Sequence, residues 1–145
     1  MDRLYIIIPA YNEQDNLGQL IDDWYPIIER HNPDGESKLV IINDGSSDNT
    51  YDILHQSAES KPMMKVLTKD NGGHGDTILF GYQYAIDNDA DYIFQTDSDG
   101  QTSPDEFEDF WNKRKDYEAI FGDRIKREDG KSRVAVEKVI CIMLH

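Results

Sequence analysis

Tyr92-Ile93-Phe94-Gln95-Thr96 is a short apolar run that leads directly into Asp97-Ser98-Asp99. The run predicts a buried strand, which would deliver two carboxylates to the edge of a sheet. Carboxylates this close repel one another unless a cation lies between them, and oxygen ligands of this kind suit Mg²⁺ or Mn²⁺. The alternative is an acidic turn, because Asp and Gly favour turns and Gly100 follows. The neighbouring segments must decide between the two.

The rest of the chain alternates between strand-like and helix-like segments. Apolar runs occupy residues 4–8, 39–42, 63–67, 92–96 and 119–121. Between them, apolar residues recur at helical spacing, as in Leu17, Leu20, Ile21, Trp24 and Ile28, or in Ile78, Leu79, Tyr82, Ala85 and Ile86. The pattern predicts an α/β fold, a three-layer sandwich in which helices cover both faces of a mostly parallel sheet.

Two helix starts carry capping signals. Asn12 is suited to cap the first helix, with Asp15 near its positive end. Ser103-Pro104-Asp105-Glu106 combines a Ser cap, Pro at the first helical position and Glu three residues after the cap. We expect a helix to begin at each.

Size, charge and cysteine content restrict the class of protein. The 145 residues are enough for one domain with a core. A net charge of −14, from 29 acids and 15 bases, disfavours nucleic acid and anionic lipid as partners. The single Cys141 excludes an internal disulfide, and neither a signal peptide nor a membrane-spanning run is apparent. This segment is therefore expected in the cytoplasm.

Polar residues follow several of the predicted strands. They lie at residues 9–13, 43–46, 97–101 and 122–124. In open α/β sheets, ligands bind beyond the carboxyl ends of the strands. Four such clusters on one edge predict a binding site, and this context favours the cation-binding interpretation of Asp97 and Asp99.

Together these segments resemble family 2 glycosyltransferases of the GT-A fold. The matching text is residues 8–13 (Ile-Pro-Ala-Tyr-Asn-Glu), 42–48 (Ile-Asn-Asp-Gly-Ser-Ser-Asp), 71–73 (Asn-Gly-Gly) and 97–101 (Asp-Ser-Asp-Gly-Gln). Gln101 after the D-x-D motif and the basic residues from Arg124 onward look most like the polyprenyl-phosphate glycosyltransferases, the group that includes dolichyl-phosphate mannose synthase. The resemblance implies an inverting transferase that uses a UDP- or GDP-linked sugar.

The resemblance also implies roles for individual residues. The donor would be bound by Pro9, Tyr11, Glu13, Ile42, Asp44, Asp97, Ser98 and Arg124. Within this set, Tyr11 and Asp44 would contact the base and Glu13 the ribose, whereas Arg124 would grip a phosphate or remain a solvated base. The metal, Mg²⁺ or Mn²⁺, would be held by Asp97, Asp99 and Gln101. Asn43 replaces the family's usual Asp and receives no catalytic role.

The glycine-rich stretch at residues 71–75 precedes the third helix without the spacing of a phosphate-binding loop. We expect its glycines to let that helix pack closely against the sheet, and His74 to lie on the surface.

The resemblance implies that the chain is the donor-binding part, residues 1–145, of a longer glycosyltransferase. A catalytic base, if one is used, would lie beyond residue 145, and the isolated segment would then be inactive and prone to self-association through uncovered apolar surface. The acceptor would be a polyprenyl phosphate or a saccharide; the alternative is a non-catalytic nucleotide-sugar-binding module. The apolar residues 139–144 would begin either a core helix or a helix on the inner face of the membrane.

Overall fold

The computed structural model of the protein describes residues 3–32, 35–98, 103–113, 119–126 and 133–143. In chain order the elements are β1 (Leu4–Ala10), α1 (Leu17–Arg30), β2 (Lys38–Asp44), α2 (Thr50–Glu59), β3 (Met64–Lys69), α3 (His74–Asp87), β4 (Tyr92–Gln95), α4 (Pro104–Asn112), β5 (Ala119–Lys126) and β6 (Arg133–Met143). None of the helices in these residues is long and apolar enough to cross a membrane.

The strands form one sheet in the order β3-β2-β1-β4-β6-β5. The four strands from β3 to β4 run parallel, whereas β6 is antiparallel to both β4 and β5. The predicted mostly parallel α/β sheet is confirmed. The helix expected at residues 139–144 was wrong, because residues 139–143 belong to β6, where β-branched Val139, Ile140 and Ile142 suit a strand paired on both sides; residue 144 lies outside the described residues.

The central strand β1 is buried along its whole length, which explains its nearly continuous apolar sequence. Leu4, Ile6 and Ile8 point into a core shared with α1, α2 and α4. Tyr5 and Ile7 point into a smaller core beneath α3. Helices therefore cover both faces, as the three-layer prediction requires.

The start of α1 differs from the prediction. Asn12 is not the cap: it adopts a left-handed backbone with φ 52°, and the helix begins at Leu17 after Asn16. The predicted apolar face is confirmed, since all five of its residues are buried. The prediction for α4 also holds, because Ser103 Oγ accepts a hydrogen bond from Asp105 N at 3.2 Å and Pro104 opens the helix.

The buried face of α3 was predicted only in part: Ala85 is buried and Tyr82 packs against the core, as expected, but two other residues of the predicted face are exposed. Thr77, Gly81 and Ala85 face the sheet, while Leu79 and Ile86 are 66% and 51% exposed. A Cβ at Gly81 would lie 2.5 Å from Ile7 Cγ2 and 2.7 Å from Ile42 Cδ1. The helix comes so close to the sheet that only small residues fit, and Gly81 provides the close contact that we had assigned to the glycines of residues 71–75.

Candidate functional site

A cavity of about 380 Å³ opens at the carboxyl ends of β1, β2 and β4, beside the start of α3. It is lined by Pro9, Ala10, Tyr11, Glu13, Asp44, Asn71, Gly73, His74, Asp97 and Ser98. Most of the residues selected from sequence as donor-binding thus come together in one place. Parallel strands bring them there because all their carboxyl ends meet at one edge.

The four lining residues of the first segment differ in their environment. Pro9 and Ala10 end β1, so the cavity wall begins on rigid sheet. Tyr11 follows with its ring about half exposed, at 49%. Glu13 is partly buried, and its Oε2 accepts a hydrogen bond from Asn16 Nδ2 at 3.0 Å. The segment therefore offers an aromatic face and a carboxylate side by side.

Ile42 does not line the cavity, contrary to the sequence-based expectation. Its side chain is fully buried in the core beneath α3, against Gly81. Arg124 lies in β5, where the structure describes the backbone only. Asp99 and Gln101 lie outside the described residues.

The loop after β1 is fastened to the loop after β2 by side chains that accept backbone hydrogen bonds. Asn12 N donates to Ser46 Oγ at 2.9 Å, and Ser47 N returns a bond to Asn12 Oδ1 at 2.8 Å. Glu13 N donates to Thr50 Oγ1 at 2.9 Å. Because Asn12 adopts a left-handed backbone conformation, its backbone N–H and its side chain can both form hydrogen bonds with the loop after β2. These contacts fix the position from which Tyr11 and Glu13 project.

Asp48 completes this connection between the two loops. Its carboxylate accepts from Thr50 N at 2.9 Å and from Gln14 N at 3.3 Å. Desolvation would raise the pKa of Asp48, but the hydrogen bonds from Thr50 and Gln14 outweigh it and hold the pKa below its ordinary value. The acid therefore stays ionised and serves as a structural acceptor.

Asp44 ties β2 to the loop between β3 and α3. Its Oδ1 accepts from Lys69 Nζ at 3.0 Å and from Gly72 N at 3.1 Å, and its carbonyl accepts from Asn71 Nδ2 at 3.1 Å. Burial would raise the pKa of Asp44, but the Gly72 and Lys69 hydrogen bonds lower it below its usual range. The side chain is thus a fixed negative charge at the wall of the cavity.

Lys69 neutralises part of this charge. Its Nζ lies 3.0 Å from Asp44 Oδ1 and 3.1 Å from Asp76 Oδ2, on the first turn of α3. Desolvation would lower the pKa of Lys69, but its bonds to Asp44 and Asp76 raise it. One cation therefore joins the end of β3, the end of β2 and the start of α3.

Asp97 and His74 meet across the cavity. His74 Nε2 lies 3.2 Å from Asp97 Oδ1, and Gln95 Nε2 lies 3.3 Å from the same oxygen. His74 is exposed, as expected, with 60% of its side chain accessible, and it also lines the cavity, which the sequence did not predict. Gly73, with φ 93°, turns the chain into α3 just before it.

One carboxylate in this cavity is of the kind that can contribute to a divalent cation site. Asp97 supplies a partly exposed carboxylate, 25% accessible, at the cavity wall. Within the described ranges no group of three or more His, Cys, Asp or Glu side chains is arranged to hold a metal, and the partners proposed from sequence, Asp99 and Gln101, fall outside those ranges.

Sequence reasoning missed Lys69, Asn71, Gly73 and His74 as parts of this site. The signal that was available is the matching Asn-Gly-Gly segment at residues 71–73, which occurs in the order expected of the resemblance. The contribution of this segment to the site depends on contacts with Asp44 and Asp97, and the sequence does not specify those contacts.

Comparisons with known proteins agree on the family and the fold. Residues 5–139 match the sequence model described as "Glycosyl transferase family 2". A dolichyl-phosphate beta-glucosyltransferase of Trichomonas vaginalis is 31% identical over 118 residues, 79% of this chain and 34% of its own length. An undecaprenyl-phosphate 4-deoxy-4-formamido-L-arabinose transferase of Proteus mirabilis is 27% identical over 99% of this chain and 44% of its own length.

Solved structures show the same fold at lower identity. S. aureus TarS 1-349 in complex with UDP-GlcNAc aligns with a TM-score of 0.64 at 19% identity, covering 90% of this chain and 37% of that one. The mannosyltransferase PcManGT of Pyrobaculum calidifontis, in complex with GDP-Man and Mn²⁺, gives 0.54 at 22% identity, with 67% and 27% covered. The chain spans roughly a third to a half of the length of the curated relatives it matches.

Proposed function

The chain belongs to glycosyl transferase family 2, and on that premise we propose that it is the donor-binding part of an inverting glycosyltransferase. The donor would be a nucleotide-diphosphate sugar, held with the help of a divalent cation. The observation that carries the proposal is the convergence of Tyr11, Glu13, Asp44 and Asp97 on one cavity at the carboxyl edge of the parallel strands.

The first part of the proposal concerns the nucleoside. The half-exposed ring of Tyr11 offers a face on which a base can stack. Asp44 would accept an N–H from the base, since its low pKa keeps it ionised. Glu13 would accept hydrogen bonds from ribose hydroxyls, and its backbone is held in place by Thr50. Pro9 and Ser98 complete the wall.

The second part concerns the diphosphate. A chain with a net charge of −14 repels a diphosphate unless cations intervene. We assign Asp97, Asp99 and Gln101 as ligands of Mg²⁺ or Mn²⁺, an assignment that agrees with the partly exposed carboxylate of Asp97 in the cavity. When bound, the ion would neutralise charge on the departing nucleoside diphosphate. Arg124 is proposed as a further phosphate contact, because β5 runs parallel to β4 and continues past its end.

The acceptor is proposed from the relatives. The names of the Trichomonas vaginalis and Proteus mirabilis proteins specify dolichyl phosphate and undecaprenyl phosphate. A phosphate acceptor is already anionic, so its oxygen can attack the anomeric carbon with little need of a base. We therefore propose a polyprenyl phosphate acceptor, action at the membrane surface, and no catalytic base among these residues. A saccharide acceptor is the competing assignment.

The experiment is titration calorimetry of UDP and GDP with and without Mn²⁺, on the wild type, Asp97→Asn and Asp99→Ala. Asp22→Asn, an exposed acid on α1, is the matched control. We expect Mn²⁺-dependent binding of one nucleotide, at least about tenfold weaker in both site variants, since even supporting residues of metal sites contribute 10–100-fold. Binding that needs no metal and survives both substitutions overturns the proposal.

Transfer to the acceptor is tested on the full-length protein with polyprenyl phosphate and with saccharide acceptors. Transfer to the lipid phosphate supports the assignment made here, whereas transfer to saccharides overturns the acceptor. Nucleotide-sugar binding without turnover identifies a binding module instead of an enzyme.

A further inference from the structure

We infer that His74 is an additional ligand of the divalent cation, so that the site combines an imidazole nitrogen with carboxylate oxygens. This inference rests on the proposed function, because it presupposes a metal at Asp97. His74 is not part of the D-x-D segment. It is the first residue of α3 and lies 23 residues before Asp97, which follows the end of β4.

The separation of the two side chains is the first argument. His74 Nε2 and Asp97 Oδ1 lie 3.2 Å apart. For metal–ligand bonds of about 2.1 Å, neighbouring ligands of an octahedral ion lie about 3.0 Å apart. The two atoms thus already stand at the spacing of adjacent ligands, and both line the cavity.

The second argument is that a bare ion pair explains this arrangement poorly. The side chain of His74 is 60% exposed and that of Asp97 is 25% exposed. Exposed pairs of this kind contribute little to stability, because water competes for both partners. A role in binding accounts for a histidine that points into a cavity at the carboxyl edge of the sheet.

The third argument is the support behind Asp97. Gln95, which is almost completely buried at the end of β4, directs its amide Nε2 toward Asp97 Oδ1 at 3.3 Å. A hydrogen bond from a rigid neighbour is the usual way in which a protein orients a ligating carboxylate. His74 is likewise carried by a defined element, as the first residue of α3.

An imidazole ligand changes which ion the site prefers. Mg²⁺ favours oxygen ligands, whereas imidazole nitrogen suits first-row transition ions. We therefore expect Mn²⁺ to bind more tightly than Mg²⁺, and this preference to shrink when His74 is replaced. His74→Gln retains an oxygen ligand, whereas His74→Ala removes the ligand entirely. Comparing the two variants therefore distinguishes the effect of the imidazole nitrogen from the effect of having any ligand at this position.

The test is pulsed EPR of Mn²⁺ bound to the tag-free protein with UDP or GDP, in a buffer without nitrogen ligands. An imidazole nitrogen bound to Mn²⁺ produces ¹⁴N modulation of the signal. When only the histidines are labelled with ¹⁵N, this modulation should shift to the ¹⁵N frequency, which excludes a nucleotide nitrogen as its source. The modulation should vanish in both His74 variants and persist in His55→Gln, an exposed α2 histidine packed against Tyr51.

Calorimetry of the same variants provides the second readout. We expect His74→Ala to weaken Mn²⁺ binding about tenfold or more, with a smaller loss for Mg²⁺. Mn²⁺ that binds at Asp97 without ¹⁴N modulation, or with unchanged affinity in His74→Ala, overturns the inference and leaves the proposed function standing. Nucleotide binding that needs no metal at all overturns the proposed function as well.

Discussion

Replacement of Gly45 by alanine should disturb the cavity through a single steric contact. Gly45 has φ +64°, and a Cβ there would lie 2.6 Å from Asn71 N and 3.1 Å from Asn71 Cα. Both atoms belong to backbone, so neither can rotate away. Gly35 is the matched control, because it also has positive φ, +81°, but a Cβ there meets nothing within 4 Å.

Both substitutions place an alanine at positive φ, but only Gly45→Ala also creates a steric clash. An L-residue in the left-handed region costs roughly 1–2 kcal/mol, which both Gly45→Ala and Gly35→Ala should lose in free energy of unfolding. Forcing an extra methyl group into a packed position costs a further 1–3 kcal/mol or so, and this applies to Gly45→Ala alone. We expect Gly45→Ala to lose about 2–5 kcal/mol in total.

Urea unfolding followed by tryptophan fluorescence measures the difference, since Trp24 and Trp111 are both buried. The clash should also push the Asn71–Gly72 segment away from Asp44, so nucleotide affinity should fall in Gly45→Ala and remain unchanged in Gly35→Ala. Equal losses of stability in the two variants would refute the steric reasoning. A Gly45→Ala protein with normal nucleotide affinity would refute the link between this contact and the site.

Two further predictions concern the framework of the site. Gly81→Ala should lower the urea midpoint of unfolding, because its Cβ would collide with Ile7 and Ile42. Gly18→Ala is the control: its Cβ would meet open space, so the higher helix propensity of alanine should raise the midpoint slightly. Equal effects of the two substitutions would contradict the close approach of α3 to the sheet. Burial would raise the pKa of Glu108, but its contacts with His31 and Arg30 lower this pKa below the unfolded value near 4.5. The Glu108 carboxylate therefore stabilises the folded protein above the unfolded pKa, and this stabilisation is lost as the pH falls through the lower folded pKa. Unfolding midpoints between about pH 3 and 6 should therefore depend less on pH in Glu108→Gln than in the wild type, and identical profiles would exclude the contribution.

The amphipathic face of α3 shows where sequence periodicity fails. Leu79 and Ile86 occupy the positions that an average amphipathic helix would bury, yet they are exposed. The helix lies so close to β1 and β2 that Gly81 and Ala85 must face the sheet. Hydrophobic periodicity assumes a typical distance between helix and sheet, and here the distance is shorter.

The candidate site was predictable to the extent that it lies at strand ends. Tyr11, Glu13, Asp44 and Asp97 follow apolar runs, and all four reach the cavity. Ile42 precedes the end of β2 and was wrongly assigned to the cavity, because a strand side chain near the sheet edge packs beneath α3 as readily as it lines a pocket.

The sequence by itself determined the chain order of the elements from β1 to β5, the buried central strand and the edge at which the polar residues gather, but it did not predict β6. These properties follow from hydrophobic period and turn-forming residues, which act over a few neighbours in the chain. Only the tertiary structure decided which distant residues meet there: Lys69 with Asp44, 25 residues apart, and His74 with Asp97. Such contacts depend on how closely α3 approaches the sheet and where its first turn begins, and packing between elements sets both.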